Sequence, residues 1–234
     1  MRDFRAHREK GHLVDDMEAM RARHSVRSYT GEALDADVRA AIEEKVAEVN
    51  GAGGLHVQLV ADEPRAFSGL MAHYGKFSGV TNYLAMIGAR SGDLEERVGR
   101  YGEELVLACT KLGLGTCWVA MTYSKVKGAF DVGPGEKLVV VISLGRPAVQ
   151  GTAHVSKAAS RVSETDEPGC EWFERGVEAA LLAPTAMNQQ QFTFSKTGDV
   201  VRARAGLGFY AKVDLGIAKL HFELGAGREN FTWG

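Results

Sequence analysis

The run Leu138-Val139-Val140-Val141-Ile142-Ser143-Leu144 constrains this chain more than any other stretch. It does not alternate between apolar and polar residues, so a strand built from it must be covered on both faces. Gly135 and Gly145 bound it, and it reads as a central strand. A central strand of this kind needs helices over it, and the chain supplies them. Leu94, Val98, Tyr101, Leu105, Ala108 and Leu112 recur at helical spacing. Asp93 is placed to cap that helix, Glu96 to complete a capping box, and Gly113 and Gly115 to stop it.

The remaining pattern adds elements of both kinds. Residues 14–22 read as a short helix, followed by a break at Thr30-Gly31. Asp35 is expected to cap a helix with Val38, Ile42, Val46 and Val49 on one face, ending in the glycines at 51, 53 and 54. Leu55 to Ala61 alternates like a strand, and Asn82 to Gly88 and Thr116 to Met121 are further strand-like runs. Residues 148–168 look like an extended polar loop. Pro168 is expected to open a helix carrying Phe173, Val177, Ala180 and Leu181, with Pro184 closing it. Phe192 to Ser195 and Val200 to Ala205 suggest a hairpin around Gly198-Asp199. A last helix carries Val213, Ile217, Leu220 and Leu224. Helices and strands mix without strict alternation, which predicts an α+β fold with helices covering a sheet. With 234 residues, 45% of them hydrophobic, and no convincing linker outside 148–168, the expectation is one domain over 14–230 after an extension at 1–13.

Several function classes find no support. A net charge of −2 gives no general attraction to nucleic acid or an anionic membrane. Cys109, Cys117 and Cys170 match no zinc or disulfide framework, and the first two sit in apolar surroundings as reduced core residues. The seven histidines form no His-x-x-x-His pair, so no metal site is expected. Residues 1–12 are charged and lack a signal peptide's apolar centre, and no run has the length of a membrane span, so the expected location is cytoplasmic.

Two separated segments carry chemistry. Arg23-His24-Ser25-Val26-Arg27 sets two guanidinium groups, an imidazole and a hydroxyl within five residues. That is a donor set for a dianionic phosphate. Standing alone, it reads more often as a solvated helix end. Far along the chain lies Ala183-Pro184-Thr185-Ala186-Met187-Asn188-Gln189-Gln190-Gln191-Phe192, which alone reads as a polar turn after a helix.

Together with Tyr101-Gly102-Glu103 through Leu112-Gly113-Leu114-Gly115-Thr116-Cys117-Trp118, these segments resemble the FMN-dependent nitroreductases. The first is similar to that family's N-terminal Arg-Ser motif and the second to its Pro-Ser-x-x-Asn-x-Gln-Pro-Trp motif. The third is similar to its long core helix and the strand passing the flavin. The Asn-x-Gln motif here lies near the C-terminus, an order resembling the Thermotoga-type subfamily. Gln191 replaces the usual Pro and Phe192 the usual Trp.

The resemblance implies a nitroreductase-like α+β fold with a central mixed or antiparallel sheet, and an FMN site at a homodimer interface to which both subunits contribute. It implies that Arg23 and Ser25, with His24 beside them, hold the FMN phosphate, helped by Lys157 or Arg161 from the loop after the central strand. Arg27 would face the pyrimidine edge of the ring. Pro184, Thr185, Asn188 and Gln190 would contact the ribityl chain or ring from the other subunit. A backbone N–H from Val119, Ala120 or Met121 would reach flavin N5, and Asn82 would bond the ring edge. No side chain is expected to be catalytic, because the flavin carries the chemistry. NADH or NADPH would donate hydride, and a nitroaromatic, quinone or similar small molecule would accept it, by ping-pong. The absence of a Gly-x-Gly-x-x-Gly signature leaves the choice of donor open. The same motifs also suit a flavin carrier or sensor without turnover. A reductive dehalogenase or flavin-fragmenting member of the fold would need a lid, for which residues 62–81, with Phe67, Tyr74 and Phe77 as walls, are the candidate.

Overall fold

The computed structural model describes residues 15–234. The proposed extension at residues 1–13 lies outside the described residues. Contacts divide the chain into two compact units, the first built from residues up to 91 and from 105–153, the second from 92–104 and 154–234.

In the first unit, chain order runs α1 (Asp16–Ala22), β1 (Ser28–Tyr29), α2 (Ala36–Gly53), β2 (Gln58–Val60), α3 (Leu70–Tyr74) and β3 (Asn82–Ala89). Helix α4 (Leu94–Lys111) follows, its residues 94–104 counting with the second unit. The first unit then continues with β4 (Gly115–Val119), β5 (Glu136–Gly145) and β6 (Pro147–Val149). Its main sheet has the order β2-β3-β5-β4 and is antiparallel throughout. The apolar run at 138–144 is indeed central: β5 pairs with β3 through Leu84↔Ile142 and with β4 through Thr116↔Leu144. From Val139 onward it is buried. Val26, Tyr29, Phe67, Phe77, Val80, Tyr83, Cys117 and Val119 share one apolar cluster on this sheet. Phe67 and Phe77 meet edge to face at 5.2 Å, so they are core and not the walls of a lid. Burial pushes the Cys109 thiol up to about 12, in keeping with an inert core cysteine.

Several expected boundaries shift: the 55–61 strand shortens to 58–60, the 116–121 strand runs from 115 to 119, and the 148–168 loop contains a 3-10 turn at Ala159–Arg161 and a strand at Ser163–Thr165. Asp35 does begin α2, but its carboxylate makes no capping bond and instead pairs with Arg146. The helix after residue 168 begins at Glu171 with Cys170 as its cap, so Pro168 lies outside it. The turn at Gly169, where φ is +85°, intervenes.

The second unit carries β7 (Ser163–Thr165), α5 (Glu171–Ala180), β8 (Phe192–Thr197), β9 (Val200–Ala205), α6 (Ala211–Ala226) and β10 (Thr232–Trp233). Its sheet has the order β10-β9-β8-β7 and is mixed, since β7 runs parallel to β8 and β10 parallel to β9. The β8–β9 hairpin turns at Gly198-Asp199 as the sequence predicts. The α+β class therefore holds, with the strands divided between two four-stranded sheets and a small β1–β6 pair.

Aromatic rings fill the second core, with Phe194 stacked on Phe222 at 4.6 Å and Phe173, Phe231 and Trp233 around them. Within this unit α4 and α6 meet backbone to backbone. A β-carbon on Gly99 would fall 2.0 Å from the Val213 carbonyl oxygen, and one on Gly216 would fall 2.0 Å from that of Glu96. Beside this crossing His221, wholly buried, donates from Nδ1 to the Ala179 carbonyl at 3.1 Å and sets Nε2 3.0 Å from Glu103 Oε1. Glu96 itself binds the Lys219 ammonium at 2.7 Å.

Candidate functional site

The first motif begins where α1 ends. Arg23 closes that helix with its N–H on the Ala19 carbonyl and then turns extended. The chain next runs along the edge strand β4, where Ser25 forms a parallel bridge with Thr116 and the Val26 N–H binds the Thr116 carbonyl at 2.9 Å. Two glycines make this fit possible. A β-carbon on Gly115 would stand 2.7 Å from Val26 Cγ2, and one on Gly151 would stand 2.7 Å from both His24 Cβ and the Ser25 carbonyl oxygen. The segment is therefore clamped on both sides by bare backbone.

Arg23, Ser25 and Arg27 are thereby strung along β4, near enough for their charges and hydroxyl to act on the buried Cys117 thiol. Burial raises this thiol's pKa, while the Arg27 charge, a hydrogen bond from the Ser25 hydroxyl and the Arg23 charge pull it back. Arg23 is buried and Arg27 is exposed. Nearby, β4 ends at Val119, which is buried, and Ala120 leads to an exposed Met121. Asn82 opens β3 as expected, but its amide serves the adjacent turn. Its Oδ1 accepts the Asp62 N–H at 3.1 Å and its Nδ2 donates to Thr81 Oγ1 at 3.0 Å.

In the second unit the other motif forms a knot of its own. After α5, Pro184 is buried and the chain makes a 3-10 turn at Ala186–Asn188. Met187, Asn188 and Gln190 all have left-handed backbone, with φ of 51°, 54° and 44°. Each such residue costs on the order of 1–2 kcal/mol, so the surroundings must impose the shape. Side chains do so. The Thr185 hydroxyl accepts the Gln190 N–H at 3.0 Å, and Asn188 Nδ2 donates to the Val155 carbonyl at 2.9 Å. Gln190 is buried, its Oε1 accepts the Lys157 N–H at 2.7 Å, and its own carbonyl receives the Lys157 ammonium at 3.0 Å. Lys157, Thr185, Asn188 and Gln190 are thus brought together, whereas Arg161 lies exposed in the 3-10 turn Ala159–Arg161.

Asp214 of α6 anchors the knot from beneath. Its carboxylate accepts the Ala186 N–H at 2.9 and 3.1 Å and Gln189 Nε2 at 3.0 Å. Burial lifts its pKa to about 6, against the pull of the Gln189 and Ala186 bonds. Met187 and Leu207 stand 94% and 97% exposed around this loop, together with Val155 and Phe209. The loop at 206–209 is tied in through Gly206 N–H to Gln191 O and Gln189 Nε2 to Phe209 O.

A model of the family described as "Putative TM nitroreductase" matches residues 15–226, which include both motif segments. The chain belongs to this nitroreductase family. A crystal structure of a putative nitroreductase from Thermotoga maritima is similar at 24% identity and a TM-score of 0.66, over 93% of this chain and 86% of that one. A putative nitroreductase from Desulfovibrio desulfuricans, solved in complex with FMN, is similar at 21% identity and a TM-score of 0.50, over 63% of this chain and 94% of that one. A nitroreductase-like protein from Streptococcus mutans is similar at 13% identity and a TM-score of 0.51, over 62% and 94%. These likenesses establish the nitroreductase fold. No curated protein matches the chain. Among the described residues no helix is long and apolar enough to cross a membrane.

Sequence reasoning passed over Asp214, Gln189, Gly115 and Gly151. Asp214 carried a signal: at helical spacing it shares a face with Ile217 and His221, so a carboxylate points inward with the apolar stripe. The other three carried none, because their partners are distant in sequence or set by backbone approach.

Proposed function

We propose that the chain is an FMN-dependent oxidoreductase that takes hydride from NADH or NADPH and passes it to a nitroaromatic, quinone or similar acceptor by ping-pong. The observation carrying this reading is the placement of Arg23, Ser25 and Arg27 along the edge strand β4, in a chain of the nitroreductase family. The Arg23 guanidinium and the Ser25 hydroxyl fit a phosphate dianion, and the exposed Arg27 charge fits the reduced ring. The donor set therefore fits FMN, and the apolar side chains exposed around the second motif fit its flat ring.

FMN, when bound, supplies two-electron hydride chemistry at ring nitrogen N5. The chain's residues supply position and charge. Arg23 and Ser25 hold the phosphate, with His24 packed beside them and Lys157 or Arg161 as the added cation. Arg27 sets a fixed positive charge at the pyrimidine edge, where reduction builds negative charge, and so favours the reduced form. Pro184, Thr185, Asn188 and Gln190 present the ribityl and ring contacts from the second subunit of a homodimer. Backbone N–H groups at Val119, Ala120 or Met121 donate toward the ring, with Asn82 at its edge. The setting in this reading is cytoplasmic, and residues 14–230 serve this single function.

The test uses the purified protein. It should be yellow and should bleach when NADPH or NADH is added without oxygen. A colourless protein that added FMN never turns yellow sinks the proposal. A yellow protein that neither donor bleaches makes it a flavin carrier instead. Replacing Arg27 by Ala should lower the potential of the bound flavin with little change in its affinity.

A further inference from the structure

The first unit carries a surface that, apart from the backbone of Ala120 and Met121, the flavin roles leave unused. Residues 64–79 and 120–130 contain no Asp or Glu, in a chain with 30 acidic residues among 234. They contain Arg65, His73, Lys76, Lys125 and Lys127. Arg65 is held by the Glu63 carboxylate, which leaves the three lysines as the free charge of the two segments among the described residues. Two of the three acids at the margins are engaged by arginines. Glu63 is taken by Arg65, Asp62 stands 4.0 Å from Arg39, and Asp131 follows the second segment with its backbone bonded to Gln58.

The two segments pack on each other. The Ser124 N–H binds the Ala66 carbonyl at 2.8 Å, and a β-carbon on Gly75 would touch the Thr122 side chain at 2.7 Å. Phe67 and Tyr123 stack at 6.2 Å. Lys76 directly follows Gly75 and Lys125 directly follows Ser124, so both cations leave from this seam. Leu70, Tyr74 and Met121 stand 85%, 82% and 69% exposed on the same segments, with Met71 beside them. The two segments therefore pair apolar and aromatic side chains with lysines and supply no carboxylate of their own. The surface begins two residues after the end of β4, the strand whose backbone is assigned to the flavin ring.

We propose that this surface is the docking site of the phosphorylated dinucleotide donor, and that Lys76, Lys125 and Lys127 make the protein prefer NADPH to NADH. The inference rests on the flavin reading given above. The chemistry matches one ligand in both its parts. The pyrophosphate and the 2′-phosphate are drawn by compact ammonium charges, while the adenine ring lies on Tyr74 and its apolar neighbours. The extra phosphate is the only difference between the two donors, so an acid-free lysine surface discriminates through charge alone.

The test measures dissociation constants of NADP+ and NAD+ by calorimetry on the FMN-loaded protein, across ionic strength, together with the anaerobic bleaching rate with each reduced donor. The wild-type protein should bind NADP+ at least tenfold more tightly than NAD+, with the gap closing as salt rises. In K76Q/K125Q/K127Q both affinities should fall, NADP+ more than NAD+, so that the ratio drops toward one while the FMN spectrum is little changed. Equal affinity for both nucleotides in the wild type, or an unchanged ratio in the triple variant, overturns the inference. So does capture of the protein by phosphatidylglycerol vesicles that NADP+ fails to displace. If neither donor bleaches the flavin, the functional proposal itself has failed. If either bleaches it, that proposal stands and the ratio judges this one.

Discussion

The two motif segments are shaped by opposite means. Residues 23–27 take their course from backbone: a bridge to Thr116, and glycines at 115 and 151 that let the strand lie close. Residues 185–191 take theirs from side chains: Asp214, Thr185, Asn188 and Gln190 hold three left-handed residues that would relax without them. A segment laid down by a sheet edge tolerates changes in its own side chains and suffers when its neighbours gain a carbon. A segment tied by individual polar groups behaves in reverse. Its shape is only as secure as each bond, and some of those bonds answer to pH.

The largest expected effect probes that last point. Because the folded pKa of Asp214 is about 6 against an ordinary 3.8, the folded state holds its proton more tightly than the unfolded one. The associated stability is fully present below about pH 4 and is lost as pH rises through 6, about 3 kcal/mol in all. Chemical denaturation from pH 4 to 8 should show that decline, and Asp214→Asn should flatten it. A wild-type profile without the decline removes the buried carboxylate from the account of the loop. Next, Arg23→Ala should weaken FMN binding by about 2 kcal/mol, roughly thirtyfold, with Arg23→Lys recovering only part of it. Fluorescence titration reads this directly, and unchanged affinity would remove Arg23 from the phosphate site.

Two smaller effects sharpen the contrast between backbone and side-chain control. Gly115→Ala should destabilise the protein by about 1–2 kcal/mol, because the new methyl meets Val26 inside contact distance. Met187→Gly should do the opposite and stabilise it by about 0.5–1 kcal/mol, since Met187 is exposed and its φ is left-handed. Thermal melting compares the two. If both variants melt lower, the second loop's strain is not what the backbone angles indicate.

Much of the fold was legible because it repeats with a period. The stripe from Leu94 gives α4, and the unbroken run at 138–144 gives the central strand. The Gly198-Asp199 turn between alternating segments gives the β8–β9 hairpin. What stayed hidden depends on partners far away in the chain. Asp35 reads as a capping residue, yet its carboxylate goes to Arg146, a residue no local rule connects with it. Phe67 and Phe77 sit among glycines and polar residues and so resemble loop aromatics, while the sheet draws them into the core. Likewise the first motif shows which groups are present, and only the pairing of Ser25 with Thr116 shows that they run beside β4. Asp214 sits in the opposite case. It was readable from its helical face, which it shares with Ile217 and His221.

The meeting of α4 and α6 at Gly99 and Gly216 has a consequence for sequence variation. With a carbonyl oxygen 2.0 Å from where each β-carbon would lie, no other amino acid fits at either position. A library randomised at every residue and selected for folding should return glycine at these two positions even where most of the two helices around them drifts. In such a record they would look as constrained as any ligand contact while touching no ligand. Invariance at 99 and 216 would report how close two helices run, and a search for the active site that followed invariance alone would be led there first.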